Sequence, residues 1–225
     1  MPPEPFLTIM LDFSGLYDQE CFGPDGAVRV LLQDLAGVEC YCDPESAAQI
    51  RDRLRDLPVR ALHWIDGGDY HYASLFWLEK IRTPFALVLI DNHPDDQLTA
   101  FGGDLLSCGG WVVTARARLP FLKETVWVRD AAHSLPEIPP DLPLYLSLDL
   151  DALSGNYART NWDQGAMTLP QLRALLDTLA KGHEIIGIDI CGGLTEAQGA
   201  TGEDFTINRR TRAELQELCL SLQAK

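Results

Sequence analysis

Two stretches of the chain pass abruptly from apolar residues to acids. FALVLIDNHPDDQ brings Asp91, His93 and Asp95 to the end of a run that reads as a buried strand, and PLYLSLDLDALSG does the same with Asp149 and Asp151. The carboxyl end of a strand is where open α/β sheets hold their ligands. A spacing of i, i+2, i+4 on an extended backbone sends Asp91, His93 and Asp95 to one face, and Pro94 keeps His93 out of the helical region. Asp149 and Asp151 repeat the pattern, with Leu148 and Leu150 turned the other way. Carboxylates converging at the mouth of an apolar sheet repel one another unless cations offset them, and two divalent ions would balance Asp91, Asp95, Asp149 and Asp151. A mostly oxygen set with one imidazole suits Mn²⁺, with Fe²⁺ and Zn²⁺ as rivals. A single strand-end Asp is usually only solvated; two D-x-[HD] ends in one chain favour a shared metal site.

The elements that must carry these residues are legible as apolar runs alternating with segments of helical period, the pattern of a mostly parallel sheet covered on both faces. Strands are expected near 6–12, 60–66, 85–92, 124–129, 143–151 and 184–191. Asp43 opens a helix over 43–57, with Pro44 in its first turn, and Thr168 with Gln171 makes a capping-box start to a helix over 169–181 that Gly182 ends. A last amphipathic helix is expected near 206–222. HWIDGGDYHYASLFWL reads as a strand, a glycine turn and a helix, with Asp69, Tyr70, His71 and Tyr72 at the junction. No long linker interrupts the chain, so one α/β domain over 1–225 is expected.

The series GGDYHY, DNHPDD, SLDLDAL and GIDICGG, over roughly residues 60–192, resembles the arginase, agmatinase and histone-deacetylase superfamily, whose ureohydrolases carry GGDH, DAHxD, SxDxD and a late G-x-D strand in that order. The resemblance implies a three-layer αβα fold, a water-bridged Mn²⁺ pair and hydrolysis of a carbon–nitrogen bond in a small molecule by water activated on the cations. It implies Asp91, His93, Asp95, Asp149 and Asp151 as ligands. Tyr70 stands at the histidine of GGDH, with His71 next to it as the replacement ligand. Cys108 stands at the position of the catalytic histidine and Gly192 at that of the guanidinium-binding glutamate, so arginine and agmatine are not the expected substrates. Asp95 or His71 would handle protons. Cys108 has three open roles: nucleophile, thiol touching the substrate, or small residue in a tight turn. A one-metal, deacetylase-like amidohydrolase and a non-catalytic metal-binding relative are the alternatives to a two-metal hydrolase.

The remaining residues narrow the field. With 33 acidic and 18 basic residues the formal charge is -15, which repels nucleic-acid backbones and anionic membranes. The first residues carry no basic leader, no apolar run is long enough to span a bilayer, and the six cysteines are scattered, so a cytoplasmic protein with reduced thiols is expected. His63 reads as a core histidine, His183 as a helix-end residue, and Tyr70 and Tyr72 as packing residues or as phenols able to polarise a carbonyl oxygen beside a metal. His133 sits in a loop.

Overall fold

A computed structural model describes residues 7–98, 105–130 and 137–222. Seven strands form one parallel sheet: β1 (Leu7–Asp12), β2 (Val28–Leu31), β4 (Ala61–Ile65), β5 (Phe85–Ile90), β7 (Leu122–Val128), β8 (Leu144–Asp149) and β9 (Ile185–Cys191). Two short strands, β3 (Tyr41–Cys42) and β6 (Leu106–Ser107), make a separate antiparallel pair. The order across the sheet is β2-β1-β4-β9-β8-β5-β7. Strands β4 and β5 follow one another in the chain, yet β9 and β8 lie between them, which opens a crevice at the carboxyl ends of the central strands. All residues of β4, β5 and β8 are buried, as expected of strands covered on both faces.

The helices are α1 (Leu16–Gln19), α2 (Pro44–Leu54), α3 (Ser74–Leu78), α4 (Trp111–Arg118), α5 (Leu169–Gly182) and α6 (Gly202–Ser221). Leu172, Leu176 and Leu179 of α5 and Leu215 and Cys219 of α6 pack with Met10, Leu62, Val88, Leu146 and Ile188 on one face of the sheet. On the other, Ala47 and Ile50 of α2, Phe76 and Trp77 of α3 and Trp111 and Ala115 of α4 pack with Ile9, Ile65, Leu87, Leu89 and Tyr145. The expected three-layer α/β architecture is the one observed. Each expected strand is present, shifted by a residue or two at its ends.

The differences have local causes. The Asp43 carboxylate caps α2 by accepting from Ser46 N at 2.8 Å, but the helix stops at Leu54, short of residue 57. Thr168 and Gln171 form the expected capping box on α5; Gly182 remains the last helical residue, and the chain leaves through an extended His183, whose Nδ1 is 3.0 Å from Leu142 O. Helix α6 begins four residues before the expected 206 because Thr201 and Asp204 build another capping box. Edge strand β2, the β3/β6 pair and α4 were not expected. Among the described residues no helix is long and apolar enough to cross a membrane. All six cysteines are free thiols. His133 lies outside the described residues.

Candidate metal centre

The acids reach their positions through turns, not through the extended backbone expected. Strand β5 stops at Ile90, Asp91–His93 bend away, and Asp95 adopts a left-handed conformation with φ 47°. Strand β8 stops at Asp149, and Asp151 follows in a 3-10 turn whose amide donates to Asp149 Oδ1 at 2.8 Å. Leu148 and Leu150 do pack into the opposite core. After β4 the chain turns through a 3-10 helix, Gly68–Ala73, and enters α3. In that turn the Tyr70 ring stacks on Phe13, centroids 4.4 Å apart, and the Tyr72 hydroxyl donates to Val38 O. His71 is thereby aimed at the acids.

His71 Nδ1 lies 3.0 Å from Asp95 Oδ2, 3.2 Å from Asp91 Oδ2 and 3.6 Å from Asp149 Oδ2. His93 Nδ1 lies 2.8 Å from Asp151 Oδ2 and 3.6 Å from Asp91 Oδ1. Among the described residues three groups have metal-ligand spacing: His71/Asp91/Asp95 and Asp91/His93/Asp151, which share Asp91, and His71/Asp149/Cys191. The side chains of His71, Asp91, His93, Asp95, Asp149 and Asp151 line one cavity of about 240 Å³, with Cys40, Tyr41, Gln97, Ser107, Cys108 and Trp162 among its walls.

The far side of the His71 ring decides which nitrogen can bind a cation. Ser147 Oγ donates its proton to Asp189 Oδ1 at 2.6 Å, so at 2.9 Å from His71 Nε2 it accepts the ring N–H. In the neutral imidazole this leaves the Nδ1 lone pair pointing at three carboxylates, an arrangement that is repulsive unless a proton or a metal cation lies between them. The donor set therefore fits a divalent metal. Without one, burial and then the neighbouring acids push Asp149 up to about 6 and Asp151 up to about 10. Burial also raises Asp91, but hydrogen bonds from His71 and His93 outweigh it and hold this carboxyl at about 2. Hydrogen bonding to Asp91 draws His93 upward. The acids thus recruit protons where cations would serve.

Cys108 lies in the cavity wall, its amide bonded to Cys40 O at 2.9 Å. Burial pushes its thiol up to about 12 and that of Cys40 to about 11, so neither is a ready thiolate. His63 is a fully buried core residue as expected, stacked on Trp77 and placed between Ile188 O and Pro58 O. Sequence reasoning gave no role to Ser147, Asp189, Cys191, Asp69 or Trp162. Asp69 accepts from Asn161, Trp162 and Gln198, which ties residues 161–162 over the cavity. Ser147 and Asp189 belong to the SLDLDAL and GIDICGG motifs, and their i, i+2 relation to Asp149 and Cys191 is the signal that puts them on the site's face.

The fold is that of arginase-type ureohydrolases. Proclavaminate amidino hydrolase from Streptomyces clavuligerus superposes with a TM-score of 0.68 at 15% identity, over 100% of this chain and 94% of that one. Arginase from Medicago truncatula gives 0.64 at 12% identity, over 97% and 88%, and formimidoylglutamase from Bacillus subtilis gives 0.61 at 13%, over 99% and 88%. At such identities the likeness concerns the fold, and in that respect the resemblance read from the motifs is borne out. An uncharacterized protein of Thermotoga maritima is 28% identical over 197 residues, 81% of this chain and 78% of its own length. No family model matches the sequence.

Proposed function

We propose that this chain is a divergent arginase-like hydrolase that cleaves an amide- or amidine-type carbon–nitrogen bond in a small molecule, using two divalent cations, Mn²⁺ foremost. His71, Asp91, Asp95 and Asp149 would hold one cation, and Asp91, His93, Asp149 and Asp151 the other. The observation that carries this reading is His71 Nδ1 within 3.6 Å of three carboxylates while Nε2 is committed to Ser147. When bound, the cations supply Lewis-acid polarisation of the scissile group and activation of water.

This chain's side chains do the rest. Because the Nε2 proton of His71 faces Ser147, Asp95 is the better placed of the two residues to hold a proton on the cavity side; burial raises its carboxyl, and Trp111 Nε1 fixes it at 2.7 Å. Cys108 and Cys40, kept as thiols, touch the substrate. Trp162 limits water entry. Among the described residues every carboxylate lining the cavity belongs to the ligand set, which leaves none of them for a guanidinium and supports a substrate other than arginine or agmatine.

Elemental analysis of Mn²⁺-loaded protein, with anomalous scattering from a crystal, should show two ions per chain, and Asp91→Ala or Asp149→Ala should abolish them. Unchanged metal content in both variants would sink the reading. A single ion at saturating Mn²⁺ would favour a deacetylase-like enzyme, and urea release from arginine or agmatine at efficient rates would reverse the substrate assignment.

A further inference from the structure

One buried side chain at the centre belongs to neither ligand set. Strand β9 ends at Cys191, which pairs in register with Asp149 on β8, so the two side chains emerge on the same face. The Cys191 thiol lies 3.0 Å from Asp149 Oδ2. His71, Asp149 and Cys191 are all buried, and each offers a ligand atom within 4.8 Å of the others. Donors around one such cation, bonded at about 2.0–2.3 Å, lie within that reach of each other. His71 and Asp149 already face the same cation position, and the thiol stands beside both.

We propose that Cys191 is a thiolate ligand of the cation on the His71 side, which makes that position selective for a thiophilic ion, Zn²⁺, Fe²⁺ or Co²⁺, over Mn²⁺. The inference rests on the metal centre proposed above. Binding forms a sulfur–metal bond, breaks the S–H bond and releases its proton to solvent. The position built by Asp91, His93, Asp149 and Asp151 keeps oxygen ligands and one imidazole and retains its preference for Mn²⁺, so the two positions load with different metals. A carboxylate-only pair would not discriminate in this way.

Cobalt reports sulfur ligation without reference to activity. Metal-free full-length protein titrated with Co²⁺ should develop a near-ultraviolet thiolate-to-cobalt charge-transfer band, and Cys191→Ser should lose that band while retaining cobalt uptake at the other position. The same variant should lower the preference for Zn²⁺ over Mn²⁺ by about tenfold or more. Cys191→Ala serves if the serine variant does not fold, and X-ray absorption of the Zn²⁺-loaded native protein should show a sulfur neighbour. Two bound Co²⁺ ions with no charge-transfer band, or a band that survives both substitutions because Cys40 or Cys108 supplies the sulfur, would overturn the Cys191 assignment and leave the metal centre standing. Protein that takes up no cobalt would overturn both.

Discussion

His71 shows how a single side chain acquires a role its neighbour is denied. In a 3-10 turn successive residues diverge by about 120°, so only one of Tyr70, His71 and Tyr72 can face the acids. The Tyr70 phenyl surface is taken up by Phe13 and the Tyr72 hydroxyl by a carbonyl. The imidazole is left with polar groups on both edges, Ser147 behind and carboxylates in front. Ser147→Ala would unpair Nε2 and free the ring to adopt the other tautomer. The expected result is a metal affinity lower by about 10–100-fold, read by competition titration with Mn²⁺, with unchanged circular dichroism. In the same titration His71→Ala should remove one of two binding steps. Unaltered affinity in Ser147→Ala would show that this hydroxyl does not orient the ring.

The exit from β9 explains why a glutamate cannot simply be introduced at Gly192. This residue has φ +105°, and a Cβ there would lie 2.7 Å from Asp149 Oδ1, 2.8 Å from Leu150 Cβ and 2.9 Å from Leu150 N. A Cβ at Gly193, φ +138°, would meet Arg212 and Leu16 as closely, and Arg212 is itself buried against Glu20 and Gly192 O. The strand therefore leaves the sheet along a path only glycine follows easily. Gly192→Glu should not create a guanidinium site; it should cost roughly 2–4 kcal/mol from backbone strain and overpacking, seen as a large fall in melting temperature. A stable variant that hydrolysed agmatine would show that the path can be rebuilt.

For the molecule as a whole, the centre is a charge problem set into a sheet that is otherwise apolar. Burial, followed by carboxylate repulsion, holds Asp149 at about 6 and Asp151 at about 10 in the metal-free fold, against about 3.9 for an aspartate in an unfolded chain. Between about pH 4 and 10 the folded state thus binds more protons than the unfolded state, and its stability falls as pH rises, by up to about 1.4 kcal/mol per unit for each group. Burial pushes His71 down, but Cys191 and the hydrogen bonds to Asp91 and Asp95 outweigh it; the net upward shift acts with the same sign. Cations bound at the proposed centre would replace these protons, so metal binding should strengthen with pH and stabilise the fold by mass action. Melting temperatures of chelator-treated and Mn²⁺-loaded protein should diverge from about pH 5 to 9. A gap independent of pH would mean that protons and metal do not compete for these acids.

Much of the centre was written in the sequence because ligand type and strand alternation are local properties. Asp91, His93, Asp95, Asp149 and Asp151 each follow an apolar run whose burial on both faces forces a parallel sheet, and that sheet places its strand ends side by side. The turns that aim Asp95 and Asp151 were not legible, since an i, i+2 spacing reads alike in a strand and in a tight turn. Tertiary structure alone decided the rest. Ser147 meets Asp189, and Asp149 meets Cys191, across 42 residues of chain, because the register between β8 and β9 is fixed by packing on both faces and not by any local pattern. That register is also what turns a cysteine with no flanking ligand motif into a neighbour of the proposed metal position.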